Sequence, residues 1–187
     1  MMAPPRHSES THVNRIEQIR LMTEYNQWMN RKVYAAACTL TDAALAADRQ
    51  AFFGSILGTL NHLALGDTVW LKRFAEHPAG FDALGPLSTV ATPRDLKALA
   101  FADIRELSAH RAWLDQLIID WAQSLREPDL DHRLTYHNMR GVGTNKPFSG
   151  LLVHFFNHQA HHRGQVTTLL SQAGVDVGDT DLLALID

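Results

Sequence analysis

Three histidines near the end of the chain carry the pattern most suggestive of chemistry. The 187 residues include 11 histidines, and His154, His158 and His162 are spaced four residues apart. Histidine is the commonest metal ligand in proteins and the usual acid or base near neutral pH. On a helix this spacing places neighbouring side chains on one face, about 6 Å apart along the axis. Two of them can bind one ion. All three cannot, because His154 and His162 lie two of these steps apart, whereas metal–nitrogen bonds are only about 2.1 Å.

Apolar periodicity selects His158 and His162 as the pair. Both belong to a row of positions that alternate by three and four, as in the buried seam of a bundle helix. We expect His154 and His161, beside this row, at the rim or the surface. A single buried histidine is more often satisfied by a hydrogen bond, but two inward histidines one turn apart favour a metal site. The row comprises Phe148, Leu151, Phe155, His158, His162, Gln165 and Leu169.

A third ligand must come from another helix, and His62 is the best candidate. Its side of the helix carries only small residues, which leave room for a pocket. Periodicity alone does not decide whether His62 faces a site, because the broad apolar face of the same helix centres nearly opposite it. We expect that face to pack elsewhere, for example on a partner subunit. The small residues are Ser55, Gly58, Thr59 and Gly66.

The other candidates have weaker patterns. Asp67 could supply an oxygen ligand or accept a hydrogen bond from a ring N–H, or it could be a solvated or capping acid. We expect His110, next to the charged Arg111, to face solvent. His132 and His137 lie in a predicted loop and could cover the mouth of a site.

Four amphipathic segments must position these residues. Helical periodicity covers about 13–40, 49–74, 92–125 and 148–173, which predicts an all-α four-helix bundle. Asp48 and Thr92 are the predicted caps of the second and third helices, and Gly174 is the predicted stop of the fourth. Residues 133–148 predict a short hairpin or an irregular loop. The tail, 175–187, should pack across one end of the bundle through Leu182, Leu183, Leu185 and Ile186.

Composition excludes several classes of protein. The formal charge of −3 argues against nucleic-acid binding as the main activity. The single cysteine, Cys38, allows no internal disulfide and suits a reducing compartment. No apolar run approaches the roughly 18 residues of a membrane span, and the first ten residues lack a signal-peptide core. We expect a cytoplasmic protein with a disordered tail at 1–12 and a single domain at 13–187.

Several segments together resemble one family. His-Phe-Phe-Asn-His-Gln-Ala-His-His-Arg-Gly-Gln, at 154–165, resembles the fourth-helix signature of the DinB-like proteins, the DinB/YfiT superfamily. Tyr-Asn-Gln-Trp-Met-Asn at 25–30 resembles the first-helix pattern, and His62 through Asp67 to Trp70 the second-helix histidine motif. Segments 134–136, followed by Gly141, and 181–183 agree as well. The resemblance covers the chain from about Gln18 onward.

The resemblance implies an up-down-down-up bundle, often a homodimer, with one divalent ion. It assigns the ligands to His62, His158 and His162 and the ion to zinc or nickel. Some relatives are thiol-dependent enzymes, so we expect a metal-dependent transfer of a low-molecular-weight thiol to an electrophile. A metal-dependent hydrolase with Asp67 as base and a non-enzymatic ligand-binding bundle are the alternatives. The candidate pocket residues are Asn26, Trp28, Asn30 and Arg163.

Overall fold

Long helices form most of the structure, a computed structural model that describes residues 14–186. The helices are α1 (Arg15–Ala37), α2 (Asp42–Ala46), α3 (Ile56–Phe74), α4 (Ile104–Ser124) and α5 (Phe148–Gln172). An antiparallel hairpin of β1 (Arg133–His137) and β2 (Gly143–Pro147) precedes α5. Short 3₁₀ helices cover Asp82–Thr89, Glu127–Asp131 and Leu182–Leu185. The tail expected at 1–12 lies outside the described residues.

Local signals set most helix ends. The side chain of Asn14 accepts hydrogen bonds from the first amides of α1, and Ser55 does the same for α3. Asp103 caps α4 by accepting from the amide of Arg105. Gly174, with φ of +79°, follows α5 in the left-handed conformation that stops a helix without strain. The fourth predicted helix is therefore confirmed almost to the residue.

The packing partners give the direction of each long helix. Arg20 of α1 donates to the carbonyl of Gln123 at the far end of α4, so these helices are antiparallel. Phe74, at the end of α3, stacks on Trp121 near the end of α4, so α3 and α4 are parallel. Trp70 of α3 contacts His154 near the start of α5, so that pair is antiparallel. The result is the expected up-down-down-up bundle with a tail.

Helix α3 lies at the centre of the bundle and is buried nearly all round. Every residue from Ile56 to Val69 except Gly58 is less than one-tenth exposed. The face opposite His62, expected on a partner subunit, therefore packs within the chain. The last turn of α3 joins an aromatic core, in which the ring centre of Phe74 lies 5.2 Å from that of Trp121 and 5.5 Å from that of Phe155.

Two predicted helix starts are wrong, because long-range contacts override the local signals. Asp48 is not the cap of α3, since Gln50 and Gly54, with φ of +54° and +73°, break the helix before Ser55. Thr92 does not begin α4, because residues 92–103 form an irregular connection beside α3. The Asn61 amide holds this connection by hydrogen bonds of 2.9 and 3.0 Å to the backbone of Phe101.

The C-terminal segment packs on α1, and two of its four predicted anchors, Leu182 and Leu185, are half-buried. Tyr25 donates a 2.8 Å hydrogen bond to the carbonyl of Thr180, and Val175 and Val177 contact the core. The expected anchors Leu183 and Ile186 are instead 75% and 49% exposed. Within residues 14–186, no helix combines the length and apolarity that a membrane crossing requires.

Candidate metal centre

Three histidine rings from two helices converge at one edge of the bundle. His62 Nε2, on α3, lies 3.2 Å from Nε2 of His158 and 3.2 Å from Nε2 of His162, both on α5. In the part of the chain that the structure describes, this is the one group of three or more histidine, cysteine or acidic side chains close enough to share an ion. The structure thus brings together the three predicted ligands.

Antiparallel packing of α3 on α5 positions these rings as rungs of a ladder. His62 contacts His162, Gly66 contacts His158, and Trp70 contacts His154, so four residues forward on α3 match four residues backward on α5. A Cβ at position 66 would lie only 3.1 Å from Cε1 of His158. Gly66 is therefore needed for the close approach that brings the imidazole of His158 to the others.

The outer nitrogens of two rings fix which inner nitrogens carry lone pairs. His62 Nδ1 lies 3.0 Å from the carbonyl oxygen of Leu96, and His162 Nδ1 lies 2.8 Å from Oε1 of Gln165. An oxygen acceptor requires a hydrogen on each Nδ1, so in a neutral ring Nε2 carries the lone pair. The amide nitrogen of Gln165 faces His161, consistent with this orientation.

Two lone pairs that face each other at 3.2 Å need a positive charge between them. A proton on Nε2 of His158 could serve only one of the contacts, and His62 and His162 would still repel. With the Gln165 amide in this orientation, hydrogen bonds among the three rings leave the contact between His62 and His162 without a proton. A tetrahedral ion with bonds of about 2.1 Å separates its nitrogen ligands by about 3.4 Å, close to the spacing here. The donor set fits a divalent transition metal.

Burial keeps all three rings in the neutral form that binds metal. It lowers the pKa of His158 to about 3, an effect to which the neighbouring His162 and His62 add. Burial also lowers the pKa of His62 and of His162, although the contact with Leu96 and the hydrogen bond to Gln165 partly oppose it. The ligands therefore need not lose protons at neutral pH to bind an ion.

A phenylalanine covers one side of the cluster. Phe53, in the turn before α3, stacks on His62 with ring centres 3.8 Å apart and meets His162 edge-on at 5.4 Å. It limits access of water and fixes the His62 ring from the face, while Leu96 fixes it from the edge. Sequence reasoning missed both, since each lies in a segment predicted to be helical.

Three of the four predicted pocket residues, together with Asp67, belong to a buried polar network behind the histidines. Asn26 and Asn30 donate to Asp115 at 3.2 and 2.8 Å. Arg163 donates to Asn26. Asp67 forms an ion pair with Arg111, which also pairs with Asp115 at 3.0 Å. All six side chains are 3% exposed or less.

This network is balanced in charge, with two carboxylates and two guanidiniums. Burial raises the pKa of Asp67 and of Asp115, and the guanidinium of Arg111 opposes it in each case. Asp67 is therefore committed to Arg111 and is not among the residues that converge on the candidate ion. Arg111, expected beside a solvent-facing His110, is buried; the spacing of four to Asp115 was the sequence signal available for it.

The remaining candidates are not members of the triad. Trp28 is half-buried beside Tyr25, with the ammonium of Lys32 4.3 Å above its ring. His154 and His161 are exposed, as expected for rim positions. His110 is half-buried and stacks on Phe101 rather than facing solvent freely.

The loop histidines do not cover the mouth of the site. His132 contacts His77, and His137 lies at the end of β1, where its carbonyl accepts from Arg73.

Comparison with known proteins assigns the family. The family model described as the DinB family matches residues 10–187. The chain belongs to the DinB family. It is 28% identical over 158 residues to Protein DinB of Bacillus subtilis (strain 168), a match that covers 84% of this chain and 87% of the relative.

A second Bacillus subtilis protein, named Uncharacterized protein YrdA, resembles part of this DinB family member. The match is 39% identical over 57 residues, or 30% of this chain and 34% of the relative. No solved structure matches the chain significantly. Family membership agrees with the bundle and with the histidine cluster, and it leaves the ion and the reaction to be determined.

Proposed function

We propose that this protein binds one divalent ion, zinc or nickel, through His62, His158 and His162 and uses it to transfer a small thiol to an electrophile. The observation that carries the proposal is the convergence of three Nε2 atoms, two of which present lone pairs to each other. Three protein ligands leave one tetrahedral position for an exogenous molecule, as in catalytic rather than structural sites.

The donor set favours acidification of a bound thiol. Three neutral imidazoles leave the full positive charge of a divalent ion in place, and such an ion lowers the pKa of a coordinated thiol or water. The hydrogen bonds from His62 to Leu96 and from His162 to Gln165 hold both rings in the tautomer that presents Nε2. Phe53 limits water on one side, so that water competes less well with the thiol.

The reaction is then a substitution or addition at carbon. The thiol loses its proton to solvent, and the sulfur forms a bond to an electrophilic carbon. In a substitution, the leaving group departs with the electron pair of the bond that breaks. In an addition, the π bond of the electrophile breaks, and the carbon that receives its electron pair takes up a proton from solvent. This route needs no carboxylate as a base beside the ion, in keeping with the commitment of Asp67 to Arg111.

The two alternatives have less support from the geometry. A hydrolase was expected to use Asp67 as its general base, but that carboxylate is fully buried and paired with Arg111. A non-enzymatic metal-stabilised bundle would explain the histidines equally well, and it becomes the better account if no turnover is found.

Turnover of a defined pair of reagents tests the proposal. Zinc-loaded and nickel-loaded protein would be mixed with a series of low-molecular-weight thiols and 1-chloro-2,4-dinitrobenzene, and the aryl thioether followed by absorbance. We expect a rate above the uncatalysed reaction that His162→Ala abolishes and His161→Ala, a neighbouring exposed histidine, retains. Equal rates for wild type and His162→Ala would contradict the proposal.

We also propose a homodimer, on the strength of the family resemblance alone. The apolar face of α3 no longer supports it, because that face is buried within the chain. Sedimentation equilibrium should give a mass near twice 20.9 kDa. A single species of 20.9 kDa would rule the dimer out.

A further inference from the structure

A cavity lies next to the histidine cluster, and none of the three candidate ligands lines it. It has a volume of about 370 Å³ and lies between α3, the hairpin and the first turns of α5. Its walls include Trp70, Tyr136, Lys146, Gly150, Leu151 and His154. Cavities of this size and mixed character are typical of sites for small organic molecules.

The ladder of α3 on α5 fixes where this cavity lies relative to the ion. Trp70 and His154 form the rung that follows Gly66 and His158, and each step of four residues advances about 6 Å along a helix. The ring of His154 lies 5.0 Å from Trp70 and 5.9 Å from His158 between centres. The cavity therefore lies one helical turn along α5 from His158, with His154 in its lining.

The walls of the cavity suit a flat ring or double bond. The indole of Trp70 and the phenol of Tyr136 meet edge-to-face with centres 5.4 Å apart, and both side chains remain partly exposed. Leu151 adds an apolar surface. Aromatic side chains arranged in this way stack on planar groups.

The charges around the cavity suit an anion. Lys146, on β2, lines it directly. The guanidinium of Arg73 lies 4.6 Å from the centre of the Trp70 ring and 4.7 Å from that of Tyr136. In residues 14–186 neither cation forms an ion pair, and the lining includes no acidic side chain. Glu76, one turn beyond Arg73, is the acid that acts on that guanidinium.

We infer that this cavity binds the electrophilic substrate and that the substrate is a planar unsaturated or aromatic carboxylate. The inference rests on the proposed thiol transfer and names the class of molecule that receives the sulfur. The ring or double bond packs on Trp70 and Tyr136, the carboxylate faces Lys146 and Arg73, and the reacting carbon points along the groove toward His158.

Gly150 offers a way to fill the cavity without disturbing the fold. It lies exposed in the first turn of α5, and a Cβ placed there meets no atom within 4 Å. Gly150→Leu therefore puts a side chain into the cavity while favouring the helix. Gly164 is the matched control, since it is also an exposed α5 glycine with nothing within 4 Å of a Cβ, and it is absent from the cavity lining.

Binding of simple probes to zinc-loaded protein tests the inference without turnover. Cinnamate would be titrated in comparison with its neutral amide, cinnamamide, and with the aliphatic hexanoate, and the amide signal of Gly150 and the indole signal of Trp70 followed by NMR. We expect saturable shifts with cinnamate, roughly fivefold weaker binding of cinnamamide, the size of one exposed charge contact, and weaker binding of hexanoate.

The variants separate the cavity from the ion. Gly150→Leu should weaken cinnamate binding by about tenfold or more, Lys146→Met by about fivefold, and Gly164→Leu not at all. His162→Ala should retain binding, because the cavity does not include the ion. The inference is overturned if cinnamate fails to bind, if Gly150→Leu binds it as wild type does, or if His162→Ala alone abolishes binding.

The two proposals can fail independently. If thiol transfer is absent but the probe pattern appears, the cavity is a carboxylate site in a non-enzymatic protein. If transfer occurs, the KM for an unsaturated acid substrate should rise in Gly150→Leu with kcat and the KM for the thiol unchanged. If transfer occurs and the KM for the unsaturated acid is the same in Gly150→Leu as in wild type, the electrophile binds elsewhere.

Discussion

Two neighbouring polar clusters in this bundle differ in whether their own side chains supply both positive and negative charge. The cluster of His62, His158 and His162 has three neutral rings with at least two lone pairs aimed inward. The network behind it, adjacent in sequence at Arg163, contains two cations and two anions. Arg111 pairs with both carboxylates, Asn26 and Asn30 donate hydrogen bonds to Asp115, and Arg163 donates to Asn26. The first arrangement could hold a cation from outside, whereas the second contains cations of its own.

The contrast teaches how to tell a candidate site from internal structure. Both clusters are buried, both join several helices, and both lie on the inward faces of the same elements. Burial and polarity alone would have made either one a candidate. The distinguishing observation is the balance of charge, because the network holds as many cations as anions, whereas the facing nitrogens of His62 and His162 have no charged partner between them.

The largest predicted effect comes from removing Arg111, the cation at the centre of the buried polar network. Arg111→Met leaves Asp67 and Asp115 buried with no guanidinium between them, and we expect a loss of about 3–5 kcal/mol in the free energy of unfolding. Arg15→Met, which breaks exposed pairs with Glu127 and Asp131, should lower the free energy of unfolding far less, because solvent screens exposed charges. Urea unfolding of both variants provides the measurement.

The same variant also tests whether the two clusters are separate. Folded Arg111→Met protein should still bind its metal, because Arg111 makes no contact with the triad within hydrogen-bond distance. A loss below 1 kcal/mol, or loss of metal from protein that remains folded, would show that the division is wrong.

The orientation of one ligand should have an intermediate effect. Gln165→Ala removes the acceptor of the His162 Nδ1–H, so that ring can rotate or change tautomer. Loss of such an outer partner typically weakens metal affinity by about 10–100-fold. Competition with a chromophoric chelator at pH 7 measures it, with Thr168→Ala, an exposed α5 position, as control. Equal affinities for Gln165→Ala and wild type would remove the tautomer argument.

A histidine outside both clusters should give the smallest effect. His77 is 3% exposed, stacks on Phe81, and accepts a hydrogen bond at Nδ1 from the amide of Ala79. Burial lowers its pKa, and His132 adds to this. The unfolded chain therefore takes up the proton first, so this contribution to stability is lost as pH falls below about 6.5.

Thermal unfolding of zinc-loaded protein between pH 7.5 and 5.5 measures this dependence. His77→Gln should show a shallower fall in Tm than wild type, whereas His137→Gln, at an exposed position, should match it. Identical slopes for His77→Gln and wild type would mean that His77 is as readily protonated in the folded protein as in the unfolded chain. His77 thus serves as an example of a buried histidine whose Nδ1 binds a backbone amide rather than an ion.

The three candidate ligands could be predicted from the sequence better than the connections and side chains that position them. The α5 helix and the His158–His162 pair follow from local periodicity, because a seam and a glycine stop are encoded within one segment. His62 was ambiguous from periodicity, since α3 is buried on all sides and its apolar face does not indicate which side meets α5. The family resemblance, rather than the pattern, assigned it.

The connections and the charged interior could not be predicted, for a shared physical reason. Thr92 has the local marks of a helix start, yet residues 92–103 form an irregular segment that Asn61 binds at Phe101 and that supplies the Leu96 carbonyl to His62. Arg111 and Asp67 each look like solvated residues in isolation. Only their contact across two helices makes burial favourable, and contacts of that kind are absent from any local window.

Elemental analysis of tag-free protein tests the central claim most directly. Wild type, His162→Ala and His161→Ala would be loaded with zinc or nickel and freed of excess metal. The account predicts about one ion per chain in wild type and in His161→Ala, and almost none in His162→Ala. No ion in the wild type after loading, or equal content in His162→Ala, would contradict it and leave the three histidines without a chemical role.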